Sequence, residues 1–345
     1  MTVVSSFSPL PDSPVVERYD LGDFRLESGA VLPHASITYV TLGALNAART
    51  NAVLAPSWYG ADWHGYDFLI GPGQALDPGR HYLILPEMFG SGGSSSPSNT
   101  AAPFDRSRFP AVAIRDNVAA LHRLVGDHLG ISRLQAVVGF SMGAQQALQM
   151  AVSHPDFAER VVAYCGAAKT YPHGFVRLES AVGALMADAV FADGDYQTPP
   201  LAGLTAWALH WSAWVYSQEW WRRELFKPAW ATVADVLAAE IARQRNRDPN
   251  NLICQARAWQ QHDVGATPGF GGSLEAALRS IDVPVLAMPS QSDLYFPLDE
   301  ARDESQFLRH VTFRPIPSIW GHRAGAGRNP VDNAFLNAEI GAFLR

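Results

Sequence analysis

Leu134-Gln135-Ala136-Val137-Val138-Gly139-Phe140-Ser141-Met142-Gly143-Ala144-Gln145-Gln146-Ala147-Leu148 is an apolar run that stops at a glycine-flanked serine and continues as a small-residue helical pattern. Strand, tight turn and helix follow one another without a spacer. A serine at such an elbow needs glycine two residues to either side, because a larger side chain would clash where strand and helix cross. The geometry lifts the Ser141 hydroxyl out for attack. It also aims the next backbone N–H, that of Met142, at the oxygen of the attacked carbonyl. G-x-S-x-G arises by chance as a bare pattern, so its position between a β run and a helix is what carries the reading.

Outward from the elbow, composition narrows the classes. The chain has 345 residues, 48% apolar and 17% charged, ordinary values for a globular enzyme with a large core. A net charge of −7 with scattered arginines offers no basic face, which argues against nucleic acid as a partner. The first twenty residues show neither a basic nor a continuous apolar leader region, and no apolar stretch reaches membrane-spanning length. A soluble, cytoplasmic protein is expected. Cys165 and Cys254 are the only cysteines, expected as two buried thiols. The eleven histidines show no metal-ligand spacing, so no metal and no cofactor is expected.

Residues 36–43 alternate and end in glycine, and 51–56 form a short apolar run; together they predict an antiparallel start to a sheet. Further strands are predicted at 81–85, 135–138, 160–164, 283–288 and 312–316. Helical patterns at 111–129 and 144–154 lie between them, which predicts parallel crossovers and an α/β architecture. The rhythm breaks from 170 to 272. That stretch reads as helices near 173–192, 203–225, 231–245 and 251–262, and holds seven of the ten tryptophans. The reading is a core of residues 1–169 and 273–345 with a helical, Trp-rich cap over the sheet's C-terminal edge. Packing alone explains many of those tryptophans equally well. The polar, Gly- and Pro-rich loop 88–103 is expected to surround the active site.

An elbow serine needs a base and a carboxylate to orient it, in the chain order Ser, acid, His. Asp293 lies just past the strand 283–288 and is the expected acid; Asp299 and Asp303 look like first-turn residues of the next helix. His322 follows the last predicted strand, after Gly321, and is the expected base. His310 stands at the wrong end of that strand and His262 lies in the cap. The second oxyanion donor should come from the loop after an early strand, Ala55-Pro56-Ser57-Trp58-Tyr59-Gly60. The backbone N–H of Trp58 is the choice, with Tyr59 second. Loss of such a donor costs roughly a hundred- to a thousandfold in rate.

With these residues placed, the chain resembles the homoserine O-acetyltransferase family of α/β-hydrolase-fold proteins, nearly end to end. The resemblance lies in Thr41-Leu42-Gly43-Ala44-Leu45-Asn46 and onward to Leu54, in Phe109-Pro110, in Asp116-Asn117-Val118, in Leu129-Gly130-Ile131, in the elbow and in Asp248-Pro249-Asn250-Asn251. It implies an elbow serine that carries an acetyl group, with Asp293 and His322 completing the triad and the amides of Trp58 and Met142 forming the oxyanion hole. It also implies a homodimer.

Departures from that family direct the functional expectation. Homoserine-specific members resemble one another in a cap arginine that grips the substrate carboxylate and in an acidic residue after the catalytic histidine. Here Ala208 and Arg323 stand at those places, with Arg177, Arg222 and Arg223 as candidate substitutes. Losing a bidentate, charge-assisted pair removes much of the recognition of an amino acid. Phe140 and Ala144 replace glycines at the elbow, and Trp58-Tyr59 suggests a small apolar acyl site. The expectation is a serine hydrolase of short, acetyl-type esters of small alcohols, similar to the acetyl esterases related to these transferases. The alternatives are a CoA-dependent O-acetyltransferase acting on homoserine or a related alcohol, and a binding protein that kept the fold without catalysis.

Overall fold

The computed structural model describes residues 14–345. Its centre is an eight-stranded sheet of β1 (Val16–Arg25), β2 (Val31–Leu42), β3 (Ala52–Leu54), β4 (Tyr82–Pro86), β5 (Ala136–Phe140), β6 (Val161–Tyr164), β7 (Val285–Met288) and β8 (Val311–Phe313), in the order β1-β2-β4-β3-β5-β6-β7-β8. From β4 onward along the sheet every pairing is parallel. The antiparallel start differs from the expected one. β2 pairs with β1 and β4, whereas β3 lies beyond β4 and runs parallel to it. β1 escapes the sequence pattern because it is an edge strand, mostly exposed and broken by bulges around Gly22, so no clean alternation marks it.

The central strands bury both faces. Leu54, Ile84, Val137, Val161 and Val285 point into one apolar cluster, and Val53, Leu83, Leu85, Val138, Val162 and Leu286 into the other. Such strands read as continuous apolar runs because helices cover both sides. α1 (Ile114–Arg123) and α2 (Met142–Ser153) supply Val118, Leu121, Ala147 and Leu148 to the first face.

Between β6 and β7 the chain runs through α3 (Pro172–Met186), α4 (Leu201–Val215), α5 (Gln218–Arg222), α6 (Val233–Gln244), α7 (Pro249–Gln260) and α8 (Leu274–Arg279). The pattern 203–225 is two helices in the structure: Tyr216 is extended, and the Ser217 hydroxyl starts α5 by accepting from the Trp220 N–H. Trp207, Trp220 and Trp259 are completely buried. After β7 come α9 (Leu298–Ser305) and, after β8, α10 (Pro330–Phe343), whose Leu336 and Ile340 cover the second face of the sheet. Among the described residues no helix is long and apolar enough to cross a membrane.

Loop 88–103 does not surround the cavity described below; it is packed against β2 and α7. Ser94 Oγ donates to the Glu87 carbonyl and accepts from the Thr38 N–H, Ser95 Oγ accepts from the Ser36 N–H, and Asn251 bonds both the amide and the hydroxyl of Ser98. Its serines satisfy a buried backbone, so polarity here signals internal hydrogen bonding rather than exposure.

On α9, Glu304 is buried and accepts from the Ala168 N–H at 2.8 Å. Burial pushes its carboxyl up to about 8. The folded chain thus keeps a proton that the unfolded chain releases near the ordinary value of about 4.3, and stability falls as pH rises through that interval. The melting temperature of the native chain is expected to drop between pH 5 and pH 8 more steeply than that of Glu304→Gln, and equal slopes by scanning calorimetry would contradict the assignment.

Candidate active site

β3 is the point from which the chain builds the sheet outward in both directions, β4 to one side and β5 to the other. Loops leaving the carboxyl ends of two such adjacent strands diverge and leave a crevice between them. β5 delivers Ser141 to this crevice, and the loop after β3 delivers Trp58.

Ser141 has φ +55° and ψ −123°, a conformation strained for a residue with a side chain, worth roughly 1–3 kcal/mol. The surroundings hold it there: the Ser141 N–H donates to the Tyr164 carbonyl at 3.1 Å, and its own carbonyl accepts from Ala144 and Gln145. Both glycines are required by contact. A Cβ on Gly139 would stand 2.0 Å from the Gly143 carbonyl oxygen, and one on Gly143 would stand 2.7 Å from that of Pro56. The second contact brings the loop after β3 against the first turn of α2. Gln146 fastens it there by donating to the Ser57 carbonyl at 2.8 Å, and Ser57 Oγ accepts from the Met88 N–H. Tyr66 adds another tie, donating to the Pro56 carbonyl at 2.8 Å and accepting from the Phe140 N–H at 3.2 Å.

His322 Nε2 lies 3.0 Å from Ser141 Oγ, and His322 Nδ1 lies 2.7 Å from Asp293 Oδ2. All three residues are buried. The other Asp293 oxygen accepts from the Tyr295 N–H at 2.7 Å and the Phe296 N–H at 3.3 Å. The two loops that carry acid and imidazole are sewn together: Ser292 Oγ donates to the Ser318 carbonyl and accepts from the Gly321 N–H, and Ser318 Oγ donates to Asp332 at the start of α10. Gly321 has φ +62°, and a Cβ there would meet the Ser217 nitrogen at 2.7 Å. Only glycine permits this turn so close to the α4–α5 junction. The imidazole is sandwiched by Tyr295 at 4.3 Å and Phe140 at 4.8 Å between ring centroids.

The competing residues lie elsewhere. His310 approaches Asp282 on an exposed edge, and His262 is buried, where desolvation pushes its imidazole down to about 3. Asp299 pairs with Arg302 on α9. The Trp58 and Met142 N–H groups make no hydrogen bond among the described residues.

The crevice opens into a cavity of about 410 Å³. Ser141 and His322 lie on its wall, with Trp58, Phe140, Trp207, Trp211, Trp259 and Tyr295 forming an apolar portion. The remainder is charged, with Glu240, Arg243, Arg247, Arg323 and Arg328, so the site is less apolar than Trp58-Tyr59 suggests. None of the candidate substitutes for a cap arginine reaches it. Arg177 is 2% exposed and faces Tyr295, Trp259 and Trp211 at 4.2, 4.8 and 5.2 Å from their ring centroids, and burial pushes its guanidinium down to about 10. Arg222 and Arg223 are exposed and pair with Glu219. Ala208 is buried within α4. Arg243 of α6 and Arg247 just after it carry no motif in the sequence, and only folding brings them to the same cavity as Arg323. Tyr295 and Ser292 flank Asp293 in sequence, so their involvement was the one further signal within reach.

Comparison with known proteins agrees with this architecture. The family described as alpha/beta hydrolase fold matches residues 53–322. An ethyl acetate hydrolase from Pseudomonas veronii is 35% identical over 333 residues, covering 95% of each chain. The solved structure of the acetyl esterase MekB superposes with a TM-score of 0.93 at 33% identity, covering 96% of each chain. A homoserine O-acetyltransferase from Symbiobacterium thermophilum is 31% identical, covering 91% of this chain and 88% of its own. The chain therefore belongs to the α/β-hydrolase fold family, in the group that unites acetyl-type esterases with homoserine O-acetyltransferases.

Proposed function

We propose that the chain is a carboxylic ester hydrolase that cleaves short acyl, chiefly acetyl, esters of small alcohols through an acyl-enzyme on Ser141. The observation that carries this is the hydrogen-bonded line from Ser141 through His322 to Asp293, at 3.0 and 2.7 Å, on the wall of a cavity. His322 Nε2 takes the hydroxyl proton as Ser141 Oγ attacks the ester carbonyl, and Asp293 holds the other nitrogen protonated and stabilises the imidazolium. The amides of Trp58 and Met142 receive the oxyanion. Their freedom from protein partners and the seating of the Trp58 loop against Gly143 support that role. His322 then gives its proton to the leaving alcohol, the C–O bond breaks, and water activated by the same imidazole releases the acid and frees Ser141. The ester-hydrolase names of the 33–35% identical relatives support the reaction class.

Residues 170–272 serve as the cap, with Trp207, Trp211 and Trp259 roofing the nucleophile. The chain acts in the cytoplasm as a homodimer. Exposed apolar residues on α3 and α4, among them Phe175, Val176, Leu201 and Leu209, support dimerisation. Light scattering is expected to return twice the 37.5 kDa chain mass, and a monomer at micromolar concentration would dismiss that part.

A second reading, acetyl transfer from CoA to homoserine or a related alcohol, is favoured by the 31% identical transferase. The two differ in which nucleophile resolves the acyl-enzyme. Turnover of p-nitrophenyl acetate with and without excess homoserine, with Ser141→Ala as control, separates them. Acetate as sole product at a homoserine-independent rate is the expected result; acetylhomoserine formed in proportion to acceptor would establish the transferase.

A further inference from the structure

The charge on the cavity wall is unbalanced. Arg243, Arg247, Arg323 and Arg328 face two carboxylates, Glu240 and Asp67. Glu240 is already shared by Arg243 and Arg323, and Asp67 is held by His64 Nδ1 at 3.0 Å. Burial works against the Glu240 charge, yet Arg323 and Arg243 keep its carboxyl below the usual range. That leaves Arg247 and Arg328, whose guanidiniums have no ion pair or hydrogen bond among the described residues. Arg247 is half-buried, and its Nη1 lies 3.0 Å from where a Cβ of Gly60 would stand, two residues beyond Trp58. Arg328 is exposed and lies three residues past the turn Gly321–Gly325 that carries His322. Burial, reinforced for Arg328 by the neighbouring arginines, pushes both below the ordinary arginine range. They remain charged at neutral pH all the same. Both guanidiniums line the cavity with no carboxylate bonded to them, so an anion entering there gains charge-assisted contacts without displacing an existing pair.

We propose that Arg247 and Arg328 form an anion subsite in the cavity beside Ser141, so that the preferred ester carries a carboxylate on its alcohol half. We assign the anion to the alcohol half because His322, which delivers its proton to the leaving oxygen, and Arg328 come from one short segment and line the same cavity. A carboxylate matches the planar fork of a guanidinium and gains charge-assisted hydrogen bonds in a partly dehydrated site. The inference rests on the ester-hydrolase reading and narrows its substrate class.

The test compares 3-acetoxypropanoate with propyl acetate, which lacks the carboxylate. The native chain is expected to favour 3-acetoxypropanoate in kcat/KM by at least about tenfold, the range of a charge-assisted contact, with the preference shrinking in high salt. Arg247→Gln and Arg328→Gln should each lower the ratio of the two kcat/KM values by about tenfold, with unchanged melting temperatures as the check on folding. Calorimetric titration of Ser141→Ala with 3-acetoxypropanoate reads the subsite without turnover: saturable binding that is lost on adding Arg247→Gln is expected. Equal kcat/KM for the two esters, or a preference that both substitutions leave intact, would overturn the subsite and leave ester hydrolysis standing. Binding to the Ser141→Ala chain without hydrolysis of either ester by the native chain would do the reverse.

Discussion

Ser141→Ala is expected to lower kcat for p-nitrophenyl acetate by roughly 10⁵- to 10⁶-fold while leaving the melting temperature within a few degrees of the native value. The size follows from the loss of the covalent route altogether; what survives is the modest acceleration that oxyanion donors and substrate positioning give to direct attack by water. Among the described residues lining the cavity there is no serine, threonine or cysteine besides Ser141 to take over, and the nearby Ser57 is buried with its oxygen engaged by the Met88 amide. The fold should tolerate the change, since the Ser141 backbone bonds to Tyr164, Ala144 and Gln145 do not involve the hydroxyl. A fluorophosphonate probe should label the native chain at Ser141 and leave the variant unlabelled. Retained hydrolysis in the purified variant would remove the acyl-enzyme from the mechanism.

Asp293→Asn is expected to cost about 10⁴-fold in kcat, and the reason is the proton it would place on the wrong nitrogen. One Asp293 oxygen accepts from two backbone amides, of Tyr295 and Phe296, and the other accepts from His322. An asparagine must keep its carbonyl oxygen toward the two N–H donors, which turns its NH₂ toward His322 Nδ1. Nδ1 then has to be the bare nitrogen, Nε2 carries the hydrogen, and the imidazole can no longer accept the Ser141 proton. Loss in this variant and in Ser141→Ala should not add, because both disable one unit; the double variant is expected to match Ser141→Ala alone. A loss of only a fewfold in kcat, measured at neutral pH, would mean that Asp293 does not set the tautomer.

Much of this molecule is visible before folding because its informative features are local. An apolar run of five residues ending at Gly-x-Ser-x-Gly can only be a buried strand turning sharply into a helix, since Gly139 and Gly143 exist to let backbone cross backbone. Asp293 and His322 are legible for a related reason: each follows a strand of a parallel sheet, and all such strands present their carboxyl ends on one side. Strand order in sequence therefore implies proximity in space.

Other features failed where the local signal and the tertiary outcome part company. β1 gains its pairing from β2 and little from burial, so its composition stays polar. Loop 88–103 looks like an exposed rim because serine and asparagine are polar, but those side chains are spent on buried backbone groups of β2 and of the loop itself. Arg177 offers a cation at the right stretch of chain for substrate recognition, yet its position against Tyr295, Trp211 and Trp259 turns it inward.

The sequence by itself determined the strand-turn-helix elbow at Ser141, the parallel sheet and the order in which Ser141, Asp293 and His322 arrive, because each depends on contacts within a few residues or on a rule of chain direction. Only the tertiary structure decided which arginines face the cavity and which are neutralised. Arg243 lies on α6 and Arg247 just after it, Arg323 in the turn after β8 and Arg328 just beyond that turn, about eighty residues apart in the chain. Their shared Glu240, and the two charges left over, exist only once packing has brought those segments to one wall. Charge balance is a sum over neighbours in space, and a sequence does not state who the neighbours are.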